Sequence, residues 1–562
     1  MDKNTCKGLL ISDFNLQNFA GLLNNDIELP RVQASLAPFG EVQSVLIQND
    51  SRVWGCNPDF ALIWTQPDNV SESFSRILRY EEIPVKKALK EVDEFSSLLI
   101  NACERVKFAL IPTWVSSTRY RAFSLLDLKP NIGMTNTLMH MNMRLAENLD
   151  KVSSFYLLNT QRWIEVAGKK AFNSKLWYMG KIAFGNDVFK EAVLDVKSAI
   201  KGIKGDSVKL IIVDLDDTIW GGIVGEVGWQ NIRLGGHDHI GEAFVDFQRS
   251  LKALKNLGII LGIVSKNEES VALEAISKHP EMVLRLEDFA GWRINWNDKP
   301  QNILDLASEL NLGLKSVIFI DDNPVERARV RDALPEVIVP EWPEDKMLYK
   351  SALLNLRYFN SPSISLEDKN KTQMYKSERQ RQQLKKSISS QAGWLKNLKI
   401  KVKIEELNDG NLKRTVQLLN KTNQMNLTTR RMTEQELKSW AKKKNHKLWT
   451  FSVCDKYGDS GLTGIVSLEI NGRNARIVDF VLSCRVFGRK IEDIMLHKVI
   501  EYSRNAGLKE LRAKYISTPK NKPCLDFLKD SIFHFDKKLN LFVLDLNINY
   551  SFLPYIEIQG QD

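Results

Sequence analysis

Asp214, Asp216 and Thr218 follow one another at every second position in LIIVDLDDTIWGG, directly behind an apolar run. Two carboxylates this close repel each other unless a cation or a shared proton lies between them, and hard carboxylate oxygens suit Mg²⁺. A second apolar run, IILGIVSKN, delivers Ser265, whose hydroxyl and adjacent backbone N–H groups can hold a phosphoryl oxygen. Lys299, in NWNDKP, is a mobile point charge of the kind that neutralises phosphate. A third run, SVIFIDDNP, ends in Asp321 and Asp322, further acids for the metal. Together these residues make a phosphoryl-transfer site. Acids and a threonine behind a strand are also ordinary turn and helix-cap residues. Four such groups in order, each behind an apolar strand or ahead of a helix, point to chemistry instead.

The elements that must position them read as strand, helix, strand. VKLIIVD, GIILGIVS and SVIFIDD alternate with the helical segments EAFVDFQRSLKALKNLG and PQNILDLASELNLG, which predicts a Rossmann-like parallel sheet covered on both faces, with its ligand at the C-terminal strand ends. The polar, glycine-containing break GIKGDS opens this domain, which spans 206–345. Before it, residues 1–200 alternate short strands, KGLLIS, EVQSVLI, DFALIWT and KFALIPTWVSS, with helical patterns, and read as α/β. After it, 346–399 is rich in Lys, Gln and Ser and reads as a basic helical connector. In 400–550 the strands LKIKVKIEEL, LWTFSVCD, LTGIVSLEI and ARIVDFVLS precede the helix KIEDIMLHKVIEYSRNAG, an α+β domain.

Composition narrows the classes. At 562 residues, 43% of them hydrophobic and 9% aromatic, the chain holds several cores and is not disordered. Its longest apolar stretches, such as Leu257 to Val264, fall far short of the about twenty residues a membrane span needs, so no membrane partner is expected. The start, MDKNTCKG, lacks a charged region followed by an apolar one, so a cytoplasmic location is expected. Cys6, Cys56, Cys103, Cys454, Cys484 and Cys524 lie far apart and read as reduced thiols. The 79 Lys and Arg exceed the 69 Asp and Glu by a net +10, but the stretch Lys369 to Lys403 alone accounts for it. That run offers only Tyr375 and Trp394 for base stacking, so nucleic acid is not an expected partner.

DLDDT, Ser265, Lys299 and IDD, in that order and spacing, resemble the four motifs of the haloacid-dehalogenase superfamily. The resemblance implies that Asp214 is the nucleophile forming an aspartyl-phosphate, that Asp216 is the acid/base, and that Thr218 orients Asp216. It implies that Mg²⁺ is held by Asp214, the backbone carbonyl of Asp216 and Asp321, with Asp322 nearby, and that Ser265 and Lys299 grip the phosphoryl oxygens. Asp217 receives no role. The 51 residues from Asp214 to Ser265 and the 34 from there to Lys299 leave no room for a large cap domain. An open site of this kind implies a large or protein-tethered substrate.

The flanks DLDDTIWGGIVGEVG, VIFIDDNPVERA, KTNQMNLTTRRMTEQEL and DFVLSCRVFGRKIEDIML are similar to the FkbH-like proteins, over roughly residues 5 to 540. That similarity implies an SGNH-esterase-like α/β domain, a haloacid-dehalogenase core and a GNAT acetyltransferase-like domain. It implies dephosphorylation of a phosphorylated three-carbon acyl donor, bisphosphoglycerate, and loading of the glyceryl group on an acyl carrier protein in polyketide or related biosynthesis. A carrier- or CoA-dependent acyltransferase and a phosphatase with an unrelated substrate are the alternatives.

Three departures from these patterns bear on the reading. Leu215 stands where glyceryl-loading members often carry a cysteine, leaving Cys484 as the other thiol. The acetyltransferase loop pattern keeps Arg485 and Gly488 but has Lys490 for its second small residue; Arg489 and Lys490 would attract phosphate by charge. Phosphopantetheine or CoA is then the expected cofactor, with Asn521 and Phe527 completing its site. In the first domain Phe14 replaces the esterase serine and His140 is the sole histidine, so no Ser-His-Asp site assembles; Trp54, Trp64 and Trp114 read as core or interface aromatics. His237 and His239 read as a polar turn. The basic run 369–403 is expected to steer an acidic carrier.

Overall fold

The structure is a computed structural model. It describes residues 5–47, 51–117, 120, 122, 124–236, 238–362, 372, 374, 376–377, 380–381, 384–385, 388, 390–548, 550 and 556–560. His237 and Tyr375, and much of the basic run before Ser390, lie outside the described residues. The chain divides into two compact units, Met1–Lys204 and Gly205–Asp562.

The first unit is built on five parallel strands: β1 (Thr5–Ser12), β2 (Arg31–Leu36), β3 (Phe60–Trp64), β4 (Phe108–Pro112) and β5 (Phe155–Leu158), in the order β2-β1-β3-β4-β5. FALIW and FALIP are buried at every position because helices cover both faces. Alternate residues serve opposite cores. Leu10, Phe60 and Leu62 pack with Phe19 and Phe189, while Leu9, Ile11, Ala61 and Ile63 pack with Val92, Leu99 and Met141. EVQSVLI, expected as a strand, is instead the helix Val42–Ile47. Its buried Val42, Val45 and Leu46 recur at helical rather than alternating spacing.

In the second unit four parallel strands, β6 (Leu210–Val213), β7 (Ile260–Ser265), β8 (Phe289–Ile294) and β9 (Val317–Ile320), pair in the order β8-β7-β6-β9. Ile211, Val213, Ile263 and Ile320 face one core, and Leu210, Ile212, Val264 and Phe319 the other. Helices His239–Asn256, Glu269–Lys278, Lys299–Glu309 and Pro324–Ala333 follow the four strands. Tyr349 and Leu353, read as connector, complete the first of these cores, and Val208 N–H donates to Tyr358 O at 3.0 Å.

Among the described residues the remaining sheet has nine strands. Those that matter below are β10 (Lys401–Glu406), β11 (Met425–Asn426), β12 (His446–Asp455), β13 (Gly458–Asn471), β14 (Asn474–Leu482) and β15 (Glu510–Ala513). The hairpins are antiparallel, but β14 and β15 run parallel and pair only over Asn474–Ile477 and Glu510–Ala513. Trp394, Leu395 and Leu398 of the expected connector lie in this domain's core. With parallel and mixed sheets throughout, the molecule is a multi-domain α/β protein. Among the described residues no helix is long and apolar enough to cross a membrane.

Candidate active site

The register of β6 against β9 pairs Val213 with Ile320, which sets Asp214 beside Asp321 at the C-terminal edge of the sheet. Asp214 N–H closes the ladder onto Ile320 O at 3.0 Å. Asp214, Asp321 and Asp322 each offer an oxygen within 4.8 Å of the others. Lys299, at the first turn of its helix, enters the same space. Its Nζ lies 2.6 Å from Asp321 Oδ2 and 3.2 Å from Asp214 Oδ2, and all three side chains are buried.

Burial, and then the charge of Asp214, push the Asp321 carboxyl up to about 7 even with Lys299 bound to it. Burial works against charge on Lys299, but Asp214 and Asp321 hold it above its ordinary value. Asp322 is also raised by burial, opposed by the Lys346 ammonium. One oxygen remains: Asp214 Oδ1 is buried and has no hydrogen-bond partner. Leaving a buried acceptor unpaired costs about 1–3 kcal/mol, and more for a charged one. Three crowded carboxylates with an orphaned oxygen are the donor set that a hard dication fits.

The Asp216 side chain stands outside this cluster, on the Ser265 side of the site. Its Oδ1 accepts from Trp220 Nε1 (2.8 Å) and Val224 N (3.1 Å), and its Oδ2 from Asn267 Nδ2 (3.0 Å). Asn267 Nδ2 also donates to Ser265 Oγ at 3.2 Å, so Asp216 and the buried Ser265 share one amide. Thr218 does not orient Asp216 as expected. Its Oγ1 donates to Asp322 Oδ1 and accepts from Asp322 N, each at 3.1 Å. The reason is the turn between them, where Asp217 takes a left-handed φ of 52° and swings Thr218 toward β9. Gln248, fully buried, anchors the segment beyond by donating to Ile219 O (2.8 Å).

Sequence reasoning missed four contributors. Asn267 carried a signal, two residues beyond Ser265. Trp220 had one in its position behind DLDDT. Arg327 Nη1 donates to the carbonyls of Asp321 (2.9 Å) and Asp322 (2.7 Å), one turn into the next helix. Lys346 had none: it reaches Asp217 O at 2.9 Å from a segment beyond the last strand of the sheet. Leu215 is wholly buried in the apolar core.

In the C-terminal loop, expected to receive a pyrophosphate, the cationic side chains are engaged within the domain. Arg489, expected to attract phosphate, is instead buried, with its Nη1 3.2 Å from Asp455 Oδ2 and its Nη2 donating to Arg485 O at 2.7 Å. Arg381 binds the same Asp455 with two hydrogen bonds of 2.7 and 2.8 Å. The N–H groups of Val486, Phe487 and Arg489 donate to Ser483, Cys484 and Val486 carbonyls. Gly488 has the left-handed φ of 74° that a glycine permits, and Lys490, also left-handed at 63°, pairs with Asp493 at 3.2 Å. Arg485 contacts Met374 Sδ at 3.6 Å. Glu492 and Asp493 fill the first turn of helix Ile491–Asn505, where a bound anion would need free N–H groups and no competing carboxylates.

Asn521, expected to complete a cofactor site, makes four hydrogen bonds of its own. Its Nδ2 donates to Asn426 O (3.0 Å) and Ile516 O (2.8 Å), and its Oδ1 accepts from Tyr515 OH (2.7 Å) and Thr518 N (2.8 Å). It ties β11 to the chain beyond β15. Phe527 stacks on Phe480 in the core. The loop's cationic side chains are committed within the domain rather than presented to a phosphopantetheine or CoA phosphate.

In the first unit, Phe14 is buried edge-on to Trp64 and Phe184, at 5.5 and 5.6 Å between ring centroids. Trp54, Trp64 and Trp114 are core residues and His140 is exposed. Asp13, before Phe14, accepts from Gln66 N at 3.1 and 2.9 Å and from Asn69 Nδ2 at 3.0 Å; burial pushes its carboxyl up to about 7. His239 is exposed beside Asp238, and among the described residues the cluster at Asp214, Asp321 and Asp322 is the one group suited to a metal.

No protein-family model and no curated protein matches the chain. Among solved structures, it is similar to a GNAT-family acetyltransferase from Staphylococcus aureus, at 11% identity over 26% of this chain and 99% of that one, with a TM-score of 0.22. The ribosomal-protein-S18-alanine N-acetyltransferase from Escherichia coli gives 8%, 26%, 96% and 0.21. Neither likeness is strong enough to bear on this chain's function. The N-terminal part of the protein BF1531 from Bacteroides fragilis, which contains a phosphatase domain and was crystallised with Mg, is 30% identical, with a TM-score of 0.58. The match covers 64% of this chain and 95% of that one, and the chain therefore belongs to the family of BF1531.

Proposed function

We propose that this protein is a Mg²⁺-dependent phosphatase of the haloacid-dehalogenase type. The observation that carries the reading is the buried, unpartnered Asp214 Oδ1 within a cluster of three carboxylates beside Lys299. The phosphatase domain and Mg of the Bacteroides relative support it. Asp214, Asp321 and Asp322 would hold the ion, which when bound withdraws charge from the phosphoryl oxygens.

The protein's own groups do the rest. Asp214 attacks phosphorus, the phosphorus–oxygen bond to the leaving group breaks, and Asp216 gives that oxygen its proton. Asp216 then takes a proton from water as the water attacks the aspartyl-phosphate, which restores Asp214 and frees phosphate. Ser265 and Lys299 hold the phosphoryl oxygens, and Asn267 keeps Ser265 and Asp216 in fixed relation.

For substrate, we propose a phosphorylated three-carbon acyl donor whose glyceryl group is passed to an acyl carrier protein, on the sequence similarity to FkbH-like proteins. The basic run 369–403 would steer the carrier, with Arg381 excluded because Asp455 holds it in the interior. A second reading, a phosphatase without acyl loading, is favoured by Leu215, which puts a core side chain where a thiol would act. The test is intact-mass spectrometry of a phosphopantetheinylated carrier incubated with this protein, Mg²⁺ and bisphosphoglycerate, with free phosphate followed in parallel. Phosphate release with a glyceryl mass gain supports loading. Phosphate release without one selects the second reading, and neither signal rejects this donor.

A further inference from the structure

We propose that Lys346 is a counter-charge to the carboxylate cluster, holding metal affinity down in favour of the anionic phosphoryl group. The inference rests on the phosphatase reading and assigns that site a positioning residue from outside its four motifs. Lys346 opens the short helical turn Lys346–Leu348. Its Nζ donates to Asp217 O (2.9 Å) and Tyr349 OH (2.8 Å) and stands 3.5 Å from Asp322 Oδ2.

Tyr349 OH in turn donates to Asp217 O at 3.2 Å. Its ring is fully buried against Phe244, Phe247 and Trp342, so the lysine's partner is fixed by packing. Thr218 holds the other oxygen of Asp322. The ammonium is therefore placed at one carboxylate of the cluster and is not free to follow a substrate.

The other nearby cations leave Asp322 to Lys346. Lys299 bridges Asp214 and Asp321, Lys266 pairs with Glu326 at 2.5 Å, and Arg327 serves the carbonyls of Asp321 and Asp322. Taking Lys346 away makes the cluster one unit more negative whatever the state of these groups. A dication gains from that change and a phosphoryl anion loses. A lysine that only propped up the Asp217 turn would, on removal, weaken both.

Calorimetric titration separates the two. Mg²⁺ is titrated first, then inorganic phosphate at saturating Mg²⁺, into the full chain and into Lys346→Met, Lys346→Arg and Lys350→Met. Lys350 pairs with Asp246 instead. Lys346→Met is expected to bind Mg²⁺ more tightly and phosphate more weakly, each on the order of tenfold, while Lys346→Arg stays near wild type and Lys350→Met changes neither. Should Lys346→Met fail to fold, Lys346→Gln carries the same expectation. A fall in both affinities, or no change in either, would overturn the proposal. Neither titration needs turnover, so opposite shifts in a protein that hydrolysed no phosphate ester would uphold the counter-charge and reject the reaction alone.

Discussion

Two loops of the second unit lie where a strand gives way to a helix, and they differ in what their polar atoms are left to do. Behind β6 and β9, three carboxylates crowd one another and Asp214 Oδ1 has no partner. Behind β14, Arg489 is matched to Asp455 and the N–H groups of Val486, Phe487 and Arg489 close short turns. Asn521, across from that loop in the sequence pattern, has all of its amide bonds made. Both regions carry motifs that resemble ligand sites. Only the first gathers three carboxylates about a buried, unpartnered oxygen, an arrangement that is costly unless a ligand completes it. The first unit repeats the lesson: its parallel sheet also ends in an acid, Asp13, but Gln66 and Asn69 satisfy it and Phe14 fills the space beyond.

The comparison can be broken most decisively at Asp214. Asp214→Asn is expected to lower Mg²⁺-dependent phosphate release by about a thousandfold or more, measured by steady-state assay on any accepted phosphate ester. Asp455→Asn should act on stability instead. It leaves the buried guanidinium groups of Arg381 and Arg489 without their carboxylate, at a cost of about 3–5 kcal/mol in urea unfolding, with Mg²⁺ binding retained where the protein is folded. If Asp455→Asn were tolerated and CoA bound saturably, the C-terminal loop would be a ligand site after all.

Asp13 sharpens the contrast through pH. Its carboxyl is raised from 3.8 to about 7, so the folded state holds the proton more tightly than the unfolded state. The stability this contributes is full below about pH 4, falls as pH rises and is lost above about pH 7, by about 4 kcal/mol at most. Asp13→Asn should remove that fall, so urea unfolding of the variant and the wild type should diverge between about pH 4 and about pH 7.

What was legible in the sequence follows from where information is local. Asp214, Ser265 and Asp321 each end an apolar strand, and the parallel register then brings them to one edge. Lys299 opens the helix after β8, although β8 itself went unread. The edge strands β2 and β5 also escaped, being short or partly exposed. The resemblance gave Thr218 to Asp216, and the left-handed turn at Asp217, which no local pattern foresees, hands it to Asp322 instead. Arg489 was expected to attract phosphate because its partner, Asp455, comes from a different strand and leaves no local mark in the sequence. Lys346 was invisible for the same reason, since its contact with Asp217 spans the whole core.

The most direct test of the central claim is to trap the intermediate on Asp214. Asp216→Asn, incubated with Mg²⁺ and p-nitrophenyl phosphate, keeps the nucleophile and needs no proton for this leaving group, but loses the base that activates water. Mass spectrometry of the digested protein should show a gain of about 80 Da, one phosphoryl group, on the peptide carrying Asp214, absent when Mg²⁺ is chelated. Nitrophenol release with no such adduct, or with the adduct on another residue, would contradict the account.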